Sequence, residues 1–224
     1  MNNLALNLKL LKEKIALAAA RSRGQKVELV AVTKTVPPPV IAEAIQLGIT
    51  NFGENRVQEA LPKVAAFPEV HWHFIGRLQT NKVRHVVGKF TLIHSLDRWK
   101  LAEALQKEAL KQGHIVRALV QVNIGREEQK AGVDPSEVKD FLQDVSTLSQ
   151  LHIEGLMTVP PICTNPEEVR PYFRQMYELF TSTKIKGVQM KYLSMGMSAD
   201  YEVAVEEGAN LVRVGSLLFG QRPN

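Results

Sequence analysis

A lysine that follows a predicted strand has the surroundings that most clearly suggest chemistry. From Val27 the chain forms a short apolar run rich in β-branched side chains, which prolines at 37–39 close, and Lys34 lies at the carboxyl end of this predicted strand. Such a run is typical of a strand buried on both faces of a parallel sheet. In a parallel α/β barrel the carboxyl ends of the strands open onto the ligand site, where a lysine amine can act as a nucleophile. From this segment alone, Lys34 is either a Schiff-base lysine or a surface lysine that extends into water.

Two loops with the composition of an anion site follow the predicted seventh and eighth strands. The first holds Ser194, Met195 and Gly196, and the second holds Gly215 and Ser216. Glycine allows close backbone approach, and hydroxyl and N–H groups can bind an anion. Either loop alone is equally consistent with a simple turn. Their joint position, at the ends of the last two strands of a barrel, favours a bound phosphate.

Further polar residues lie on the same predicted edge. Arg213 precedes the second loop and could pair with a core carboxylate or face a ring nitrogen of a ligand. At the end of the second strand, Asn55 could contact a ligand, whereas Glu54 could simply hold a neighbouring loop. Arg77 follows the third strand. These residues complete the candidate site.

Two other chemistries are disfavoured by the residues around their candidates. His71 and His73 lie two apart on a strand, but no third ligand has a spacing that completes a metal set, so we expect no metal site. Cys163 follows a Pro-Pro pair with no histidine nearby in sequence. A nucleophilic role for it is therefore unsupported.

The elements that would position these residues alternate regularly between strand and helix. Their pattern predicts a (β/α)₈ barrel of the TIM type, with an extra amphipathic helix in the first twenty residues that takes the place beside strand eight. The first predicted strand begins at residue 27 and has Lys34 at its carboxyl end. The other predicted strands cover residues 49–52, 71–76, 91–95, 118–124, 153–159, 190–195 and 211–214. The predicted helices after the first begin near residues 37, 57, 79, 98, 134, 166 and 199. We expect residues 1–224 to form a single domain.

The bulk composition limits the location and the partners. The formal net charge is +5 and the basic residues are dispersed, so we expect no nucleic-acid partner. The amino terminus does not resemble a signal peptide, and no apolar run approaches the ~20 residues of a membrane span. A single cysteine is consistent with a reducing compartment. We therefore expect a cytoplasmic protein without a membrane partner.

Five blocks along the chain resemble the pyridoxal phosphate homeostasis proteins, single-domain relatives of the amino-terminal barrel of alanine racemase. The blocks are residues 31–34 (AVTK), 52–55 (FGEN), 73–82 (HFIGRLQTNK), 193–200 (LSMGMSAD) and 212–220 (VRVGSLLFG). The resemblance spans nearly the whole chain and implies a fold-type III barrel that binds pyridoxal 5′-phosphate (PLP). Two positions depart from it, because Arg56 stands where many relatives have tyrosine and Thr80 where serine is frequent.

The resemblance also implies roles for individual residues. Lys34 would form the internal aldimine with PLP, Arg213 would face the pyridine nitrogen, and Asn55 would line the ring. The phosphate would be held at the two loops, and the residues implied there are Ser194, Met195, Gly196, Gly215 and Ser216. No residue is assigned a catalytic role.

A PLP enzyme needs positioned acids and bases in addition to the cofactor. Alanine-racemase-like enzymes take a second base, a tyrosine, from a domain after the barrel, and we expect this chain to lack that domain. An arginine opposite the pyridine nitrogen would also weaken the electron sink. The resemblance therefore implies a non-catalytic, monomeric carrier that holds PLP and supplies PLP-dependent apo-enzymes. An amino-acid racemase and a regulatory interaction module are the alternatives.

Overall fold

The architecture is a closed barrel of eight parallel strands that are neighbours in chain order. The computed structural model describes residues 3–220. The strands are β1 (Glu28–Val32), β2 (Asn51–Glu54), β3 (His71–Phe74), β4 (Leu92–Leu96), β5 (Val116–Val122), β6 (Leu151–Thr158), β7 (Tyr192–Ser194) and β8 (Leu211–Val214). The α-helices are α1 (Leu4–Ala20), α2 (Pro38–Gln46), α3 (Val57–Ala66), α4 (Trp99–Gln112), α5 (Val138–Val145), α6 (Arg170–Ser182), α7 (Tyr201–Glu206) and α8 (Ser216–Phe219). The predicted TIM-type barrel with an extra N-terminal helix is confirmed.

Closure of the barrel depends on the pairing of its first and last strands. β1 pairs with β8 in parallel, and Val30 lies opposite Arg213. Because side chains alternate between the two faces of a strand, Leu211 and Arg213 point to the same side. Leu211 packs with Val30 in the barrel interior, so Arg213 faces inward as well. The remaining members of that interior cluster are Leu92, Leu119 and Met157.

Helix α1 occupies the place predicted for it. Its N-cap is Asn3, whose Oδ1 accepts a hydrogen bond from the Leu6 N–H at 3.0 Å. Its buried face, which includes Leu4, Leu8 and Leu11, packs against α7 and α8. Burial of a leucine side chain contributes about 1.5–3 kcal/mol, which makes α1 part of the core.

Three predicted helices differ in form. The crossover between β3 and β4 is a short 3₁₀-helix, Thr80–His85. The sixth crossover begins with a 3₁₀-helix, Pro166–Val169, because Asn165 Oδ1 caps the Glu167 N–H there before α6 starts. Helix α5 starts at Val138, later than predicted, because Ser136 folds back on the Asp134 carboxylate in a local turn.

Two expectations are limited by the range that the structure describes. The single-domain prediction includes residues 1–2 and 221–224, which lie outside the described residues, and it stays a prediction. Across residues 3–220, every helix falls short of the length and apolar character that a bilayer crossing requires.

Candidate functional site

Lys34 lies in a tight turn two residues beyond the end of β1. The turn is closed by the Val36 N–H, which donates to the Thr33 carbonyl at 2.9 Å. Thr35 has φ +64°, a left-handed conformation that is unusual for a β-branched residue. Lys34 is half-buried, and it stands at the carboxyl end of the barrel, where TIM-barrel sites form.

A cavity of ≈ 140 Å³ brings Lys34 together with the loop after β8. Its lining residues are Val32, Lys34, Thr35, Val36, Pro37, Val40, Gly215, Ser216, Phe219 and Gly220. Among these described residues, Lys34 carries the only ionisable side chain. The structure thus unites three of the predicted site residues, Lys34, Gly215 and Ser216.

The loops after β7 and β8 are linked to each other. Ser198 Oγ accepts a hydrogen bond from the Gly215 N–H at 3.4 Å, and Asp200 Oδ1 accepts one from the Met197 N–H at 2.7 Å. Gly196 has φ +92° and lies against α7. The N–H groups of Gly196 and Ser216 donate to no acceptor within residues 3–220. Ser216 lines the Lys34 cavity, whereas Gly196 is buried in its packing against α7.

Arg213 is a buried cation beneath the mouth of the barrel. Its Nη1 donates to the carbonyl and the hydroxyl of Ser194, and its Nη2 donates to the Thr158 carbonyl at 2.8 Å. It forms no ion pair within residues 3–220. Burial lowers the pKa of the Arg213 guanidinium to about 10, an effect that the charge of Asp200 opposes, so Arg213 stays charged at neutral pH. Since a guanidinium has five N–H donors, two remain for a ligand.

A chain of buried hydrogen bonds continues from Ser194 across the interior. Ser194 Oγ lies 3.0 Å from His94 Nδ1, and His94 Nε2 lies 2.9 Å from His73 Nδ1. His73 Nε2 lies 3.3 Å from Asn51 Oδ1. Burial, with a smaller effect of His71, lowers the pKa of His73 to about 3. Burial, then His73 and Arg213, lowers the pKa of His94 well below its usual value. Both imidazoles are therefore neutral.

Five predicted site residues do not line the Lys34 cavity, namely Asn55, Ser194, Met195, Gly196 and Arg213. The Ser194 hydroxyl points into the barrel, and Met195 is fully buried in the core with its N–H bonded to the Leu211 carbonyl. Asn55 is exposed and lines a neighbouring cavity of ≈ 630 Å³ that also contains Arg77. The predicted contacts of these five residues with a ligand stay predictions.

Residues outside the predicted set also shape the site. Glu54 accepts hydrogen bonds from Thr33 and from Lys63, so it does hold the neighbouring loop. Lys63 and His94 were not predicted. A histidine within the fully buried run 92–96 (LIHSL) is the signal that could have indicated His94, because a buried polar group needs a partner.

Arg56 and the two histidines of β3 are the remaining candidates. Arg56 is exposed and pairs with Glu59 at 3.1 Å on the surface of α3. The described residues contain no cluster of three potential metal-ligating side chains. His73 instead bonds to His94 and Asn51, as described above.

A closed eight-stranded barrel with a lysine just beyond the carboxyl end of its first strand is the arrangement to compare with known families. A family model described as "Alanine racemase, N-terminal domain" matches residues 6–223. The match covers all eight strands and both glycine-containing loops. The chain therefore shares the barrel of that class over residues 6–220 of the described range.

Full-length relatives narrow the class. The chain is 49% identical over 215 residues to a pyridoxal phosphate homeostasis protein of Aquifex aeolicus, covering 94% of both chains. It is 38% identical over 231 residues to the protein of the same name from Escherichia coli K12, covering 99% of this chain and 98% of the relative. The chain belongs to the family of pyridoxal phosphate homeostasis proteins.

Solved structures agree with this membership. PipY of Synechococcus elongatus, solved without PLP, superimposes with a TM-score of 0.88 at 37% identity. The structure of PipY with PLP bound superimposes with a TM-score of 0.83 at 36% identity. In both cases the match covers 97% of this chain and 100% of PipY.

Proposed function

We propose that this protein binds PLP covalently through Lys34 and takes part in PLP homeostasis, holding the cofactor and passing it to apo-enzymes. One observation carries the proposal: Lys34 shares a cavity with Gly215 and Ser216, the residues that follow the strand carrying the buried cation Arg213. The relatives are named for PLP homeostasis, and PipY has been solved with PLP bound. We place this activity in the cytoplasm, since Cys163 is the chain's one cysteine and is free.

The residues present fit the chemical groups of PLP. When bound, the cofactor supplies an aldehyde that reacts reversibly with primary amines, and the Lys34 amine is the ionisable group placed to meet it. Ser216 offers a hydroxyl and a backbone N–H to a phosphate, and Gly196 offers a second N–H, whereas the Gly215 N–H already donates to Ser198. A Cβ at Gly215 would lie 3.1 Å from the Val32 carbonyl oxygen, so glycine allows this loop to pack closely against β1.

Arg213 fits the ring nitrogen. It is a buried, charged donor without a carboxylate partner among the described residues, and such a group is unfavourable unless a ligand or a dipole compensates it. Its three hydrogen bonds go to neutral oxygens. Arg213 would donate to a ring nitrogen held there and so keep that nitrogen unprotonated, which would weaken the electron withdrawal that the cofactor supplies.

Ser194 supports Arg213 in this proposal. Both oxygens of Ser194 accept from Arg213 Nη1, and its hydroxyl also meets His94. We therefore assign Ser194 to the orientation of the guanidinium, and the phosphate to the loop residues beyond it. Asn55 and Met195 keep their predicted places in the cofactor site as proposals.

The cavity favours a carrier over an enzyme. Racemisation requires acids and bases positioned on both sides of the reacting carbon. Within residues 3–220 the cavity is lined by one ionisable group, Lys34, and otherwise by apolar, glycine and hydroxyl residues. This composition supports binding and release of an aldehyde without turnover.

Covalent binding is tested with the purified protein and PLP. We expect a visible absorption band that borohydride removes while fixing the cofactor on Lys34, as located by peptide mass spectrometry. Lys34→Ala should give no band and no label. Lys82→Ala, which changes a half-buried lysine of the neighbouring cavity, should behave as the wild type. A label on another residue in the wild type, or a persistent band in Lys34→Ala, would refute the proposal.

The carrier role is tested separately. The PLP-loaded protein should transfer its cofactor to a PLP-requiring apo-enzyme and restore that enzyme's activity. Given L-alanine, it should form D-alanine no faster than free PLP does. Sustained racemisation at an enzymatic rate, of order 1 s⁻¹ or more, would identify an enzyme instead.

A further inference from the structure

A buried ion pair lies behind the turn that carries Lys34. Glu54 is fully buried, and its Oε1 accepts hydrogen bonds from Lys63 Nζ and Thr33 Oγ1, each at 2.6 Å. Lys63 Nζ also donates to the Thr33 carbonyl at 2.6 Å. The pair therefore fixes both the side chain and the carbonyl of the residue that immediately precedes Lys34.

The turn itself has a conformation that needs support. Thr35, with φ +64°, is a β-branched residue in the left-handed region. Its hydroxyl bonds to the adjacent Lys34 carbonyl, a local contact that does not anchor the turn to the barrel. Strained backbone of this kind persists where the surrounding structure over-determines it, and it clusters at functional sites. Here Glu54 and Lys63 support the turn through their hydrogen bonds to Thr33.

Stability alone is a weak reason for this ion pair. Desolvation of two buried charges offsets most of their attraction, and apolar side chains often fill such a space equally well. Glu54 Oε2 is also buried without a hydrogen-bond partner within the described residues, which adds to the cost. Apolar side chains would not reproduce the hydrogen bonds that Glu54 and Lys63 make to Thr33.

We propose that Glu54 and Lys63 are positioning residues for Lys34. Through Thr33 they hold the strained turn in the conformation that directs the Lys34 amine into its cavity. This proposal deepens the proposed function and rests on it, because Lys34 is taken as the residue that reacts with PLP.

The test removes both charges together. In Glu54→Gln/Lys63→Met neither charge is left uncompensated in the interior, so the fold should be kept. The rate of PLP reaction with Lys34 is measured by stopped-flow absorbance. Binding of pyridoxine 5′-phosphate, which has an alcohol in place of the aldehyde, is measured by calorimetry. We expect the rate to fall roughly 10- to 100-fold, with unchanged affinity for the alcohol, because the reacting amine alone is displaced.

Two further variants separate positioning from general stability. Arg117→Met/Glu154→Gln removes a partly buried ion pair at the other end of the barrel and should change neither quantity. Adding Thr35→Gly to the Glu54/Lys63 double variant should restore most of the lost rate, since glycine adopts a positive φ without strain. A purely structural pair predicts no such rescue.

Each result bears on a definite claim. An unchanged rate in the Glu54/Lys63 double variant, or a parallel loss of rate, alcohol affinity and melting temperature, overturns the positioning role. If wild-type Lys34 does not react with PLP, the proposed function fails. The positioning role is then judged by amide hydrogen exchange at Val36, whose N–H closes the turn. Faster exchange in the double variant supports the role, and unchanged exchange rejects it.

Discussion

At the scale of single residues, the buried hydrogen bonds that run from Asn51 to Ser194 and Arg213 have one consistent assignment of donors and acceptors. Asn51 Oδ1 is an acceptor, so His73 must carry its proton on Nε2 and accept on Nδ1. His94 then donates from Nε2 and accepts on Nδ1, which makes the Ser194 hydroxyl its donor. This leaves the Ser194 oxygen free to accept from Arg213, a group that can only donate. The acceptor Asn51 at one end of these hydrogen bonds and the donor Arg213 at the other therefore require the same histidine tautomers.

We predict neutral Nε2–H tautomers for His73 and His94 throughout pH 5–8. The pKa of each is lowered by burial. In the unfolded chain a histidine binds a proton below about pH 6.5, so these two residues reduce stability as the pH falls below that value. Two-bond ¹H–¹⁵N spectra of ¹⁵N-histidine-labelled protein report the protonated nitrogen directly. The exposed His152 provides an internal reference. A proton on Nδ1 of either buried ring would reverse the donor and acceptor roles in these hydrogen bonds and would indicate a flipped Asn51 amide.

At the scale of elements, the loop between β7 and α7 is shaped by close packing at Gly196. A Cβ added there would lie 2.6 Å from the Ala204 Cβ and 2.9 Å from the Tyr201 Cα. Contacts below 3.0 Å force the helix or the loop to move. The same loop reaches the one after β8 through Ser198 and Gly215. A displacement at Gly196 should therefore reach the corner where we place the phosphate.

We predict that Gly196→Ala weakens phosphate binding as well as stability. The positive φ costs about 1–2 kcal/mol and the steric conflict about 1–3 kcal/mol more. Gly187→Ala is a matched control, because Gly187 has a similar φ of +87° but its added Cβ would have no neighbour closer than 3.8 Å. The control should lose stability through strain alone and bind pyridoxine 5′-phosphate normally. Equal affinities in the two variants would remove Gly196 from the cofactor site.

At the scale of the whole molecule, the barrel was predictable from the sequence because every strand has a short apolar run and every crossover a helical pattern. Lys34, Gly215 and Ser216 could be placed together because strand ends of a barrel converge. The orientation of Ser194 could not be predicted, since it depends on Arg213 and His94, which are distant in sequence and meet only in the closed barrel. Lys63 was missed for the same reason, because it lies on α3 and its partner, the Thr33 carbonyl, is 30 residues away in sequence.

Closure on the side of α1 also depends on charges that the sequence pattern does not reveal. Arg170 at the start of α6 donates to Glu206 and Glu207 around the end of α7, at 2.6 Å and 3.0 Å. Arg21, just after α1, donates to the same Glu206 at 2.8 Å. Glu206 thus joins α1, α6 and α7. Arg174 adds a second donor to Glu207.

We predict that Arg170→Met lowers stability near pH 7 by about 1–3 kcal/mol, because charge-assisted hydrogen bonds to Glu206 and Glu207 are lost. The bond from Arg170, against the opposing effect of burial and with help from Arg21, lowers the pKa of Glu206. Burial raises the pKa of Glu207, but the bonds from Arg174 and Arg170 outweigh it and lower it overall.

Because these folded-state pKa values lie below the usual 4.5, the stability they contribute is present above that value and is lost as the pH falls through the lowered values. The melting temperatures of the wild type and Arg170→Met, followed by circular dichroism from pH 7 to pH 3, should therefore converge in acid. Arg126→Met, at an exposed pair with Asp134, should track the wild type throughout. A difference in melting temperature between wild type and Arg170→Met that stays constant with pH would contradict this prediction. It would mean that Arg170 stabilises the contact between α6 and α7 by packing, without a contribution from the Glu206 and Glu207 carboxylates.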